Sequence, residues 1–357
     1  MQTSELIERG RLGIPVIDRS FAGVDFTGLR LEGVTAVRCD FSGACFNDAE
    51  LVKSAFIECS LEHGSASRVL LEETVFLTCN MQNFSAADSR IATVQWVDCD
   101  AAFMVLAGGS FNSGGFIKCR LSGANCGNSR WATVSLMECA VDGLNLSASI
   151  FNSVFLCGVD LRQVAIDGLK VDKMMIVDAD LSGRDLRSLD LRSANFSGSK
   201  LVGVNLEGGS LAGCLLLEAD LTDANLMGVN APHAMFTKSN LSAARLAGAQ
   251  LYGASFSEAN LSGADLSRVS CEMGQFDRAN LSAARFDGAS MPYATLAYAK
   301  APAASFVGSS FLRTDFHVTE VEGALFTGSA GERLPTETGR ALAELYDPRR
   351  VKRREQP

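Results

Sequence analysis

The chain has 357 residues with 41 acidic and 32 basic side chains, a formal net charge of −9, and a hydrophobic fraction of 47%. This apolar content suffices for a core and excludes wholesale disorder, and the net charge has the wrong sign for a basic nucleic-acid binder. No stretch approaches the roughly 18 apolar residues of a membrane span, and the N-terminal segment MQTSELIERGRL lacks the apolar centre of a signal peptide. We therefore expect a cytoplasmic protein with reduced thiols.

Large apolar residues recur every five positions from Phe21 to Phe326. All 62 positions of this series are apolar, and 26 of them are Leu and 18 are Phe. We call this residue position 0 of its pentad. Position −2 is mostly small and position +2 is often Gly, as in Ala179-Asp180-Leu181-Ser182-Gly183. A period of five fits neither a helix nor an amphipathic strand. It predicts short extended pieces with positions −2 and 0 inside and a bend in each pentad, where Gly suits unusual backbone angles.

Two independent patterns predict that four pentads form one coil of 20 residues. Six cysteines at position −2 lie 20 residues apart, namely Cys39, Cys59, Cys79, Cys99, Cys119 and Cys139. Charged residues 20 apart within 21–330 form 21 opposite-sign pairs and one like-sign pair, Asp160 with Asp180. Residues n and n+20 therefore stack on adjacent strands, where opposite charges attract. Arg30 with Glu50, Arg38 with Glu58 and Lys170 with Asp190 are predicted pairs of this kind.

The unbroken pentads resemble those of the pentapeptide-repeat proteins. That resemblance implies an all-β fold, a right-handed quadrilateral parallel β-helix, or solenoid, of about 15 coils. It also implies a protein that is not an enzyme. We expect residues 21–330 to form the β-helix, residues 1–20 a small N-terminal cap, and residues 331–357 a short helix and a basic tail.

The two ends carry the segments that would cover the open β edges. Leu12, Ile14, Val16 and Ile17 are expected to pack on the first coil. Thr336 to Tyr346 is predicted to be a short helix whose apolar residues cap the last coil or form a homodimer contact through an end of the solenoid. The candidate contact residues are Leu342, Leu345 and Tyr346. The tail at 348–354 is basic and would be solvated or would dock on an acidic partner.

Irregular pentads are the other source of information. Gly64 and Ala66 are both small and predict a thin spot in the core. Arg184 stands at the inward position −2, where an unpaired charge is costly, so we expect a local distortion or a carboxylate partner. Residues 161–200 contain seven basic and six acidic residues, a local basic belt in an acidic protein. Its candidate binding residues are Lys170, Lys173, Arg187 and Arg192; exposed ladder pairing is the alternative explanation for them.

No catalytic or metal-binding pattern accompanies the repeat. His63, His233 and His317 are isolated in the sequence, and no HExxH motif exists. We therefore expect no catalytic residues, no metal and no cofactor. The six stacked cysteines are expected to be small structural residues of the core ladder, and Cys45 faces outward and is the better candidate for a reactive thiol.

Three functions fit these patterns. The first is a rigid protein-binding scaffold or adaptor; the Cys-x-Phe pentads of the early half and the Ala-Asn-Leu pentads of the later half resemble pentapeptide proteins that accompany bacterial toxin-delivery (type VI secretion) clusters. The second is a DNA mimic that protects or inhibits a type II topoisomerase (gyrase), although most basic residues are paired with acids one coil away. The third is a translocated effector or an immunity protein acting by binding. We expect a protein partner, no direct contact with nucleic acid, and no membrane span.

Overall fold

The computed structural model describes residues 2–344. These residues form two compact units, unit 1 up to Leu201 and unit 2 from Val202. Each unit is a parallel β-solenoid, and the two together hold about 16 turns. The fold class expected from the pentads is therefore confirmed.

Unit 1 consists of one helix and twelve short strands in a single parallel sheet. The helix and strands are α1 (Gln2–Arg11), β1 (Val16–Ile17), β2 (Arg30–Glu32), β3 (Thr35–Val37), β4 (Glu50–Val52), β5 (Ala55–Ile57), β6 (Leu70–Glu72), β7 (Val75–Leu77), β8 (Arg90–Val97), β9 (Ser110–Ile117), β10 (Arg130–Met137), β11 (Ile150–Cys157) and β12 (Lys170–Val177). Unit 2 contains β13 (Ser290–Pro292), β14 (Ser310–Asp315), β15 (Ala330–Leu334) and α2 (Thr338–Glu344).

Strand register confirms the 20-residue coil. Trp131 pairs with Phe111 on one side and with Phe151 on the other. Unit 2 consists mainly of isolated parallel bridges in the same register, such as Asn240 with Asn260 and Asn260 with Asn280. Paired strands therefore donate and accept backbone hydrogen bonds between residues 20 apart in the chain, as the unbroken sequence period predicts.

Positions 0 and −2 form the core. Stacked rings join Phe76, Trp96 and Phe116 in unit 1, with centroids 5.8 and 4.3 Å apart. In unit 2, Phe236 and Phe256 stack at 4.7 Å with nearly parallel planes. Residues at the same pentad position stack above one another in adjacent coils. Each coil therefore buries apolar area mainly against its two neighbours.

Position +2 makes the bend. Gly23, Gly203 and Gly263 have φ between 62° and 67°, in the left-handed region. The sequence pattern predicts unusual backbone angles at this position. Asp48 and Lys238 adopt nearly the same angle, 59°, without glycine's freedom. The ladder thus imposes the bend even where the side chain disfavours it by about 1 kcal/mol.

The N-terminal segment contacts the first coil through residues other than the expected ones. Leu6 of α1 is fully buried and Val16 is 2% exposed, whereas Leu12, Ile14 and Ile17 are 65%, 45% and 47% exposed. Val16 pairs with Ala36, so the inward phase begins one pentad before Phe21. The expectation for Leu12, Ile14 and Ile17 was wrong because α1 presents Leu6 instead.

The C-terminal helix is held by polar contacts. α2 covers Thr338–Glu344, inside the predicted range. Leu342 is 66% exposed, so it does not pack on the last coil, while Leu345, Tyr346 and the basic tail lie outside the described residues. Glu344 accepts hydrogen bonds from the Tyr298 hydroxyl and from His317 Nε2 at 3.1 Å.

The thin spot expected at Gly64 is filled from the next coil. A Cβ on Gly64 would lie 3.0 Å from the ring of Phe84, which stands 20 residues later and is 4% exposed. The large Phe84 therefore uses the space that Gly64 leaves.

Candidate functional site

The solenoid of unit 1 opens between the coil of residues 162–181 and the coil of residues 182–201. Two sides of these coils remain bonded, since Met175 bridges Asn195 and Asp180 bridges Lys200. On the other two sides, the ladder bonds expected from Ile166 N to Asp185 O, from Val171 N to Asp190 O and from Lys173 N to Arg192 O are absent among the described residues. We call this opening the ladder gap. It leaves part of the edge of β12 without its usual neighbour.

Arg184 lies at the ladder gap. Its position −2 side chain is half-buried instead of buried, and its Nη1 donates to the main-chain carbonyl of Arg162 at 3.1 Å. A guanidinium cannot replace the small residue that closes other coils, because full burial without a partner costs several kcal/mol. The expected distortion therefore takes the form of separated coils.

Apolar side chains line a cavity of about 30 Å³ behind Arg184. Leu161, Leu169 and Leu189 are 7–8% exposed, and Ile166 is half-buried although it occupies an inward position. The cavity has room for about one water molecule or methylene group. Apolar surface thus reaches solvent at the gap, next to a positive charge.

The predicted binding residues surround this gap but differ in their charge environment. Arg187 and Arg192 contact Asp185 and Asp190 at 2.7 and 2.5 Å, partners two residues earlier in the chain. Hydrogen bonds from these arginines lower the pKa of Asp185 and Asp190. Lys170 and Lys173 are exposed and, within residues 2–344, neither ammonium lies within 4.0 Å of a carboxylate.

Ion pairs elsewhere in unit 1 follow the predicted ladder in part. Arg30 contacts Glu50 at 2.5 Å and Arg68 contacts Asp48 at 2.7 Å, both across one coil. Arg38 contacts Asp18 in the preceding coil at 2.7 Å instead of Glu58. Positions −1 and +1 flank position 0 on the same outer face, so aspartates within a pentad also compete for arginines.

The six ladder cysteines are buried, at 1–4% exposure. Their thiols contact main-chain oxygens; Cys79 Sγ, for example, donates to Phe56 O at 3.3 Å. Ser89 and Thr74 donate in the same way to Ala66 O and Leu51 O. Position −2 therefore favours a small donor for the carbonyl 23 residues earlier, a role that size alone did not predict for cysteine.

We predict that thiol labelling of the native protein at neutral pH modifies Cys45 first. Cys45 is partly exposed, and hydrogen bonds from Ser65 and Thr27 lower its pKa, so its thiolate fraction is higher at a given pH. Burial raises the pKa of Cys126 and Cys271 to about 12, which keeps them protonated. Mass spectrometry after timed labelling measures the order, and early modification of Cys126 or Cys271 would contradict it.

Among residues 2–344, no group of three His, Cys, Asp or Glu side chains is arranged to hold a metal ion. No helix in the same range has the length and hydrophobicity needed to cross a membrane.

Comparison with known proteins identifies the repeat. The family model for pentapeptide repeats matches eight copies, within residues 20–56 and 177–282. The chain belongs to the pentapeptide-repeat family. Proteins of this family are generally structural or binding proteins without enzymatic activity. The comparison with curated proteins found no match.

Solved structures of other pentapeptide-repeat proteins are similar over parts of the chain. HetL, involved in heterocyst differentiation regulation in Nostoc sp. strain PCC 7120, is 22% identical over 68% of this chain and 87% of its own, with a TM-score of 0.24. QnrB1, a plasmid-mediated fluoroquinolone resistance protein, is 19% identical over 53% and 93%, with a TM-score of 0.27. A protein of the Arabidopsis thaliana thylakoid lumen is 38% identical over 26% and 68%, with a TM-score of 0.17.

Proposed function

We propose that this pentapeptide-repeat protein is a non-enzymatic, protein-binding scaffold whose binding site is the ladder gap of unit 1. The observation that carries the proposal is the coincidence of the gap with the basic belt. Apolar surface at Ile166 and Leu169 opens beside Arg184, Lys170 and Lys173. The partner segment that fits carries acidic residues around one apolar side chain.

The physical basis is a preorganised surface. Strand β12 is fixed to β11 along its length, so the backbone that carries its exposed lysines loses little freedom when a partner binds. Lys170 and Lys173 have no carboxylate within 4.0 Å among the described residues, and an acidic partner therefore does not need to displace an existing ion pair. In a chain with net charge −9, this belt is a distinct site for an acidic segment.

Reversing Lys170 and Lys173 together is expected to reduce capture of the partner by at least about tenfold, because like charges at an interface cost several kcal/mol. The measurement is quantitative affinity capture from the native cell with the wild type and with Lys170→Glu/Lys173→Glu. The matched control is Lys53→Glu/Lys300→Glu, whose lysines occupy positions +2 and −1 of other pentads. A partner retained equally by all three proteins contradicts the proposed site.

A component of a toxin-delivery system among the captured proteins would support the bacterial type VI secretion context. A gyrase supercoiling assay beside the capture tests the DNA-mimic alternative. Ion pairs such as Arg120 with Asp100 at 2.7 Å neutralise acids of unit 1, which is unfavourable for an acidic stripe. Inhibition or protection of gyrase would nevertheless replace the scaffold proposal.

A further inference from the structure

One corner of unit 2 exposes large uncharged side chains on successive coils. Tyr252, Met273, Tyr293 and Leu312 are 44%, 50%, 47% and 47% exposed. They belong to positions +1 and +2 of stacked pentads. We call this corner the unit 2 ridge; its residues are Pro232, His233, Tyr252, Gly253, Glu272, Met273, Pro292, Tyr293, Leu312 and Arg313.

Contacts between coils order the ridge. The His233 and Tyr252 rings meet edge to face with centroids 5.3 Å apart, and the Tyr252 hydroxyl contacts Met273 Sδ at 3.5 Å. Backbone bonds run from Met273 N to Pro292 O and from Tyr293 N to Leu312 O, at 2.9 and 2.7 Å. Five coils at a spacing of about 4.8 Å make the ridge about 19 Å long.

The outer faces beside the ridge carry few charges over these coils. Their position −1 residues are Asn230, Gln250, Ser270, Ser290 and Ser310 on one side and Met235, Ser255, Gln275, Thr295 and Asp315 on the other. Asp315 pairs with Arg340 at 3.2 Å, and Asp277 on the same face accepts a hydrogen bond from Thr295. Exposed tyrosine and methionine side chains with few charged neighbours are typical of the centres of protein–protein interfaces. Contiguous exposed apolar side chains of this kind mark an interaction site and are uncommon on ordinary solvated surface.

The two charged residues of the ridge are arranged symmetrically about Tyr293. Glu272 lies one coil before Tyr293 and Arg313 one coil after it. Both side chains are exposed, and within the described part of the chain neither forms an ion pair within 4.0 Å. With a two-fold axis at Tyr293, Glu272 of one copy would lie opposite Arg313 of the second copy, and Arg313 of the first copy opposite Glu272 of the second.

We propose that two copies of this chain pack antiparallel along the unit 2 ridge, with Tyr293 of each copy at the two-fold axis. Glu272 of each copy then faces Arg313 of the other, so the contact is self-complementary as a two-fold interface must be. A copy with net charge −9 repels a second copy except where charge is absent or complementary. The ridge meets both conditions.

The size of the ridge predicts weak association. A contact about 19 Å long lies at the low end of specific interfaces, which bury roughly 1,200 Å² or more in total. We therefore expect a reversible dimer with a dissociation constant in the micromolar range, on the order of 10 μM. This dimer is independent of the ladder gap.

Charge exchange tests the proposal. Sedimentation of the full chain over a concentration series is expected to show a dimer. Glu272→Arg and Arg313→Glu should each weaken dimerisation by at least about tenfold, because each places like charges opposite one another. The double variant should restore it to near the wild-type value. A monomer at every concentration, or a double variant as weak as the singles, overturns the proposal.

Position-matched variants separate the ridge from other surfaces. Met273→Lys should abolish the dimer, whereas Phe103→Lys, an exposed position +2 residue of unit 1, should not. Lysine fits both backbones, since Lys118 and Lys238 adopt the same left-handed φ, 54° and 59°. If Leu342→Lys removes the dimer and Met273→Lys does not, the contact lies at the C-terminal helix and the proposal fails.

Discussion

Replacing Leu221 with Asp is expected to abolish the cooperative unfolding transition of unit 2. Leu221 occupies position 0, is fully buried, and donates its backbone N–H to Asn240 O at 2.7 Å. The substitution removes about 1.5–3 kcal/mol of apolar burial and leaves a carboxylate in the core at a cost of several kcal/mol more. The total loss of folding free energy exceeds the roughly 4–5 kcal/mol above which a point mutation is exceptionally destabilising. Urea unfolding followed by circular dichroism measures it.

Ala283→Asp is the matched control. Ala283 is exposed at position +2 with φ of 54°, and Asp223 holds the same pentad position at 57°. Its neighbours one coil away are Gly263 and Ala303, so the added charge meets no like charge. We expect a change within about 0.5 kcal/mol, as for ordinary surface substitutions. An unchanged unfolding curve for Leu221→Asp would contradict the inward assignment of position 0.

Arg184→Val is expected to stabilise unit 1 by about 2 kcal/mol, because the two coils at the ladder gap regain backbone hydrogen bonds worth about 0.5–1.5 kcal/mol each. Val is compatible with this site, since Val69 and Val204 fill position −2 elsewhere and are buried. Hydrogen exchange should slow at the amides of Ile166, Val171 and Lys173, and the midpoint of urea unfolding should rise.

Arg192→Val controls for loss of positive charge. Arg192 is exposed at position +1 and contacts Asp190, so its removal leaves the inward face unchanged. Exchange at the β12 edge should stay fast in this variant. If Arg184→Val leaves exchange fast or lowers stability, the gap has a cause other than the inward arginine. If it closes the gap and capture of the partner persists, the proposed binding site is wrong.

Most of the fold was predictable because the same five-residue pattern of apolar residues recurs in every pentad. The spacing of Cys39, Cys59 and the later ladder cysteines predicted the pairing of n with n+20 that the strands adopt. The apolar series from Phe21 predicted the buried set almost residue by residue. In a solenoid each residue meets its own phase in the next coil, so sequence separation gives spatial neighbours directly.

The candidate site was predictable only as an anomaly. Arg184 indicated that one coil could not close normally. The sequence did not determine whether the arginine would pair with a carboxylate or separate the two coils. That outcome depends on competing energies, namely ladder hydrogen bonds against burial of a guanidinium. The structure shows Arg184 bonded to a carbonyl beside an opened ladder. Arginine partners were missed because more than one carboxylate neighbours an arginine. Arg38 contacts Asp18 of the preceding coil, and Arg162 contacts Asp160 in its own pentad at 2.6 Å and Asp180 at 3.5 Å.

The sequence by itself determined the 20-residue coil, the inward positions and the position of the bend, because each depends on a local pattern repeated in phase. Tertiary structure decided what the ends and the surface do. Leu6 instead of Leu12 packs against the solenoid, and α2 is held by Glu344 on Tyr298 and His317. These features depend on which side chains meet across elements, and no period in the chain encodes that choice.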